Sequence, residues 1–278
     1  MMKTIDFFGN ETSRLIVGGN PFHGYSYIID KISREEMLDY YTMEAVIRDL
    51  KYAETLGYTA FISTTEDFTI RMIRQYKREG GKLKWIAQTH PPSMMKVCVN
   101  LAIEGEAIAI FLEGAVDDSY SDAQKLQTIQ EKLDEARRAD IPVGIATHVP
   151  RHIGIAEENF EVDFYMACLH NMHERRKIPN RVSSSISGIK DEPHEFVSGD
   201  REIMLKVIRE LDKPCIAYKI LGGGNYAFNR EDLKSCYVET FSNIKPNDIA
   251  AVGVFQRDKD QLKENALLLD EVLSEISP

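Results

Sequence analysis

Eight short, β-rich apolar runs recur along the chain, each followed by a polar junction and a stretch of helical periodicity. The runs are RLIVGGN (14–20), TAFISTT (59–65), LKWIAQTH (83–90), AIAIFLEG (107–114), PVGIATH (142–148), DFYMACLHN (163–171), PCIAYKIL (214–221) and IAAVGVFQ (249–256). Between them, Val46, Leu50 and Ala53 repeat at helical spacing and stop at Gly57. Leu126, Ile129 and Leu133 do the same, as do Val207, Ile208 and Leu211 before Pro214. Strands that are apolar almost throughout are buried on both faces, which is the pattern of a parallel sheet covered by helices. Eight strand–helix units are the number that closes into a (β/α)8 TIM barrel. A doubly wound open sheet is the structural alternative.

No linker, low-complexity tract or second composition regime interrupts the 278 residues, so residues 1–278 read as one barrel domain. The four cysteines (Cys98, Cys168, Cys215 and Cys236) lie in apolar contexts with no CxxC pair, as expected of buried thiols in a reduced, cytoplasmic protein. No signal-peptide pattern opens the chain, and no apolar run is long enough to span a bilayer. A net charge of −10 argues against nucleic acid as a partner and leaves a small-molecule substrate as the expectation. Nothing in the pattern fixes an oligomeric state.

Two segments, 20–42 and 172–199, follow strands and are much longer than ordinary βα loops, so both belong at the C-terminal mouth of the barrel. The first carries Phe22, His23, Tyr25, Tyr27, Tyr40 and Tyr41; the second carries Arg175, Arg176, Lys177 and Arg181. They are expected to act as lids, with aromatic walls and anion-binding side chains. The competing expectation is that the aromatics only cover the barrel top and the basic residues are solvated.

Alternation along the strands points to what faces the mouth. Ala109, Phe111 and Glu113 share one face; Gly144, Ala146 and His148 share another; Cys215, Ala217 and Lys219 share a third. Glu113, His148 and Lys219 are therefore expected to converge. Gln88 or His90, His170 or Asn171, and Asn20 are nearby candidates. Three readings follow. In the first, Glu113 or His148 moves a proton while Lys219, with Gln88 beside it, polarises a carbonyl or sugar-like substrate; in a variant, Lys219 is a Schiff-base nucleophile. Asn20, His23, Tyr25, His170, Asn171 and Arg175 would then bind substrate. In the second, some of His90, Glu113, His148 and His170 hold a divalent metal for isomerase or hydrolase chemistry, although no HxH or HExxH spacing supports it. In the third, the mouth is a structural network or a ligand-binding, regulatory site without catalysis.

Several motifs resemble the aldo/keto reductase superfamily. FGNETSRLIVGGNPF (8–22) is similar to the opening hairpin of the form LGxTGxxVSRLGLG that caps the bottom of those barrels; IAYKILGGG (216–224) is similar to their IAYSPLGxG; and QLKEN (261–265) is similar to their RLxEN. The resemblance implies a nicotinamide cofactor, NAD(P), with Tyr218 stacked on the nicotinamide, Lys219 in the place of a cofactor-contacting serine, and Glu264 and Asn265 on the adenine.

The departures matter more. The family's catalytic Asp, Tyr, Lys and His correspond to about Ser63, Phe68, Gln88 or Thr89, and Glu113, so all four are changed. A phenyl ring cannot supply the proton that the tyrosine gives. The Ser-Asn pair that grips the nicotinamide amide reads Ala146-Thr147, its glutamine partner about Met166, and the basic residue for the 2′-phosphate Gln261. The resemblance therefore disfavours ordinary NADPH-dependent reduction. A carboxylate and an amine in place of the hydride machinery suit lyase, isomerase or hydrolase chemistry better.

Overall fold

The computed structural model describes residues 2–28, 31–114, 123–170, 198–227 and 229–276. A two-stranded antiparallel hairpin comes first, β1 (Thr4–Phe7) and β2 (Asn10–Ser13). Eight parallel strands follow: β3 (Leu15–Gly18), β4 (Ala60–Thr64), β5 (Lys84–Gln88), β6 (Ala109–Leu112), β7 (Val143–Thr147), β8 (Phe164–Cys168), β9 (Cys215–Tyr218) and β10 (Ile249–Gly253). Each pairs with its neighbour in sequence, and β10 pairs with β3, with Ala250 opposite Leu15, to close the barrel. The structure is thus a (β/α)8 TIM barrel, and the open-sheet alternative falls.

Helices among the described residues are α1 (Arg34–Tyr40), α2 (Met43–Thr55), α3 (Asp67–Arg78), α4 (Met95–Glu104), α5 (Ala123–Ala136), α6 (Pro150–Asn159), α7 (Ser198–Glu210), α8 (Arg230–Asn243) and α9 (Gln261–Ile276). Local chemistry sets their starts. Ser33 and Glu36 exchange hydrogen bonds in a capping box that opens α1, and Asn229 accepts from the Asp232 amide to open α8. No helix among the described residues is long and apolar enough to cross a membrane.

Apolar side chains divide into two clusters. One lies inside the barrel: Ile16, Ile62, Ile86, Phe111, Phe164, Met166, Ile216 and Ile249 among others. The larger one fills the layer between strands and helices, with Val17, Phe61, Trp85, Ile110, Ile145, Tyr165 and Ala217. The hairpin delivers Phe7 into the inner cluster, where its ring meets Phe164 edge-on at 5.4 Å and plugs the N-terminal end.

The expected alternation holds on β6 and β7, where Ala109, Phe111 and Ala146 point inward. It fails on β9. There Ile216 and Tyr218 face the interior, whereas Cys215 and Ala217 pack outward against the helices. Small residues were a poor guide because the outer layer at β9 also has to accommodate closely packed helices.

Candidate functional site

Lys219 reaches the mouth by a backbone device instead of strand parity. It follows Tyr218, the last residue of β9, and adopts φ 54°, the left-handed region that side-chain-bearing residues rarely occupy. The turn reverses its side chain. Nζ lies 3.0 Å from His148 Nε2, 4.6 Å above the centre of the Tyr27 ring and 5.7 Å from that of Tyr218. With Lys219 as the donor, His148 accepts on Nε2 and carries its ring proton on Nδ1.

The Lys219 carbonyl is held as firmly as its side chain. It accepts from the Gly222 amide at 2.9 Å and from His170 Nδ1 at 2.6 Å. His170 Nε2 in turn accepts from Arg201 Nη1 at 3.1 Å, and the ring stacks on Tyr226 at 4.7 Å. Burial, followed by the Arg201 charge, pushes the His170 imidazole down to about 4. His170 is therefore a neutral brace behind Lys219. The glycines that follow have a matching role: a Cβ on Gly223, itself at φ 63°, would lie 2.6 Å from Tyr27 Cβ, and Asn225 Nδ2 donates to the Tyr27 carbonyl at 3.1 Å.

A second cluster occupies the ends of β4, β5 and β6. His90 Nδ1 is 3.2 Å from Glu113 Oε2, and His90 Nε2 is 3.6 Å from Glu66 Oε1. Glu66 also approaches His23 Nδ1 at 3.5 Å, giving an alternating row of two imidazoles and two carboxylates. His23 Nε2 is 2.8 Å from Ser63 Oγ. The hydrogen bond that His90 donates to Glu113, opposed by burial and aided by the charges of Glu113 and Glu66, raises the basicity of His90. Glu66 is held below the usual carboxylate range by its hydrogen bond and charge contact with His23 and by the charge of His90, which together outweigh its burial. Thr89 Oγ1 accepts from the Glu113 amide at 3.1 Å and fixes that strand end.

Tyr25 and Gly114 connect the two clusters. The Tyr25 ring lies 6.1 Å from that of His23 and 6.4 Å from that of His90, and burial, with the Glu66 and Glu113 charges, pushes its phenol up to about 12. A Cβ on Gly114 would come within 3.3 Å of His148 Nδ1, so His148 stands directly beside the residue after Glu113.

A cavity of about 260 Å³ opens at the mouth. Gln88, Asn20, Tyr25, Tyr218 and Lys219 line it, as do Glu264 and Asn265 at its other end. Asn20 donates to the Tyr27 hydroxyl at 3.0 Å, and Glu264 is paired with Lys259 at 2.6 Å. His23 is not a wall residue: it is buried against Ser63 and Thr64, so its expected substrate contact gives way to a supporting place behind Tyr25. His170 likewise supports Lys219. Asn171 and Arg175, like the rest of the second lid segment up to residue 197, lie outside the described residues. Of the first lid's aromatics, Phe22, Tyr40 and Tyr41 pack together with Phe255 as cover, and Tyr25 and Tyr27 face the cavity. Glu66, Tyr27 and Arg201 are the contributors not picked out from the strand ends. Glu66 sits one residue past TAFISTT, a position the alternation argument could have reached; Arg201 carries no sequence signal, because a long segment separates it from its strand.

The metal set does not assemble. Among the described residues no three His, Cys, Asp or Glu side chains are disposed to hold a metal ion. His90 and Glu113 meet, but His148 is engaged by Lys219 and His170 by a backbone carbonyl and a guanidinium. The nicotinamide positions do not fit the cofactor that the sequence resemblance implies. Thr147 Oγ1 is turned to the backbone of Val149, and Met166 offers no donor or acceptor suited to a carboxamide. Lys219 reaches instead to His148.

No family model matches the chain, and no curated protein matches it. Solved structures do. An aldo-keto reductase from Bacillus halodurans is similar over 97% of this chain and 91% of its own, at 11% identity and a TM-score of 0.53. A truncated 3-deoxy-D-arabino-heptulosonate 7-phosphate synthase from Thermotoga maritima covers 99% and 92%, at 10% identity and 0.53. The dihydropteroate synthase of Yersinia pestis covers 99% of both chains, at 10% identity and 0.50. The likeness to the reductase is thus matched by likeness to barrels named for other reactions, and what they share with this chain is the TIM-barrel fold.

Proposed function

We propose that this barrel is an enzyme that acts on a small carbonyl, polyol or sugar-like substrate by acid–base and electrophilic chemistry at its mouth. The observation that carries the reading is the 3.0 Å contact between His148 and Lys219, the ammonium in the cavity wall, with the His90–Glu113 pair behind that wall. Lys219 would donate to the substrate oxygen, with Gln88 as a second donor, and stabilise the oxyanion formed when a proton leaves the adjacent carbon. In that step the C–H bond breaks, its electron pair moves toward the carbonyl oxygen, and the proton passes to the Glu113 carboxylate, which His90 orients and which then returns the proton to a carbon of the intermediate or to solvent. Tyr25, a phenol with its pKa pushed up to about 12, stays protonated and can only donate or orient. The barrel mouth is where this fold places its catalytic groups, which supports the location but not the reaction.

The test is solvent proton exchange. Wild-type protein, Lys219→Met and Glu113→Gln are incubated in deuterated water with a panel of keto-sugars, polyols and aldehydes and followed by NMR. Exchange or turnover by the wild type that both variants lose is the expected result. A wild type that binds panel members and exchanges none of them would leave a ligand-binding barrel in place of an enzyme.

A further inference from the structure

The cavity is larger than the chemistry at Lys219 requires, and its walls change character along its length. At the barrel axis it meets Asn20, Gln88, Tyr218 and Lys219. Away from the axis, beside Ile32 and Met37 and past the ends of β9 and β10, the lining is aliphatic and aromatic: Ile32, Met37, Leu221, Leu233, Val254 and Phe255. At the far end it becomes polar again at Lys259, Gln261, Glu264 and Asn265. Three of those four are already engaged. Lys259 and Glu264 pair with each other, and Gln261 Oε1 accepts from the Phe255 amide at 2.9 Å. Asn265 differs. It is 3% exposed, it lines the cavity, and its side chain makes no hydrogen bond to another described residue. An amide that faces a cavity can hydrogen-bond what the cavity holds.

We propose that the cavity takes an amphiphilic small molecule. Its carbonyl or hydroxyl head meets Lys219 and Gln88, its aliphatic body lies between Ile32, Met37, Leu221 and Phe255, and a second polar group at its far end hydrogen-bonds Asn265. The head's place rests on the reading of Lys219 given above; the body and the far group rest on the lining alone. A molecule confined to the Lys219 end would leave the apolar middle wet. A straight chain removes that surface from water, and an end group reaches the Asn265 amide.

Calorimetric titration of the wild-type protein with ethanol, butanol, hexanol and octanol tests the body without calling on catalysis. Affinity is expected to rise about fourfold per methylene up to the length of the cavity. Hexane-1,6-diol and octane-1,8-diol test the far group: the diol that spans the cavity is expected to bind tighter than the alcohol of equal length, and Asn265→Leu to abolish that advantage while retaining the alcohols. Ile32→Trp, which fills the middle from a half-buried loop position, is expected to lose octanol before ethanol. Affinity that does not change along the alcohol series would overturn the proposal. So would a diol advantage that persists in Asn265→Leu. A steep alcohol series in a protein that exchanges no protons would retain the cavity's occupant and remove only the reaction.

Discussion

His170 donates from Nδ1 to the carbonyl oxygen of Lys219 at 2.6 Å, and this contact ties the left-handed turn after β9 to the end of β8. Because Nδ1 donates there and Nε2 accepts from Arg201, the ring has no room for a second proton. A histidine whose folded pKa is depressed loses stability as pH falls. Above its ordinary 6.5 both folded and unfolded chains hold it neutral; between 6.5 and about 4 the unfolded chain binds a proton that the folded one refuses. Stability should therefore decline across that window, by about 3 kcal/mol from this group, and level off below it. Urea unfolding at several pH values, compared with His170→Gln, measures it. Equal pH slopes in the two proteins would remove His170 as the cause.

Lys219 carries both strain and chemistry, and the two separate by substitution. Its φ of 54° costs an L-residue roughly 1 kcal/mol that glycine does not bear. Lys219→Gly should hold or raise the melting temperature while lowering turnover on any active substrate by about 100-fold or more. A clear drop in melting temperature would show that the ammonium's packing on Tyr27 and His148 is what holds the loop.

His90 is expected to be the cationic group of the second cluster. Its pKa is raised first by the hydrogen bond it donates to Glu113, so Glu113→Gln should bring it back toward 6.5, as read from the imidazole proton shifts in NMR. The sign for stability is opposite to that of His170: the contribution is full below 6.5 and lost as pH rises through the elevated folded value. An unchanged titration in Glu113→Gln would place the source of the shift at Glu66.

Gly223→Ala probes the aromatic wall. The new methyl would meet Tyr27 Cβ at 2.6 Å, at a backbone φ of 63° that disfavours a side chain. Tyr27 must move, and with it the ring face over the Lys219 ammonium. A loss of substrate affinity larger than the loss of turnover is expected, with destabilisation of about 1 kcal/mol from the backbone. A variant with wild-type affinity would show that Tyr27 is cover only.

The barrel was legible because each of its strands is apolar on both faces, a pattern few other folds require. Inward residues on β6 and β7 followed from alternation, since there the small residues do face the crowded axis. β9 did not follow: Cys215 and Ala217 are small for the sake of the helices outside, and Lys219 enters through a turn that alternation cannot foresee. The partners of the histidines were beyond reach for a related reason. His23, His90, His148 and His170 all end near strand termini, but which carboxylate, amine or carbonyl each meets depends on loop paths of many residues, and these leave no period in the sequence.

The Phe7 plug gives the barrel a closed floor. A molecule in the mouth cavity has closed packing beneath it, so it arrives and leaves on the C-terminal side of the barrel. Occupancy is then a matter of turns taken at one face: a tightly held product blocks its successor.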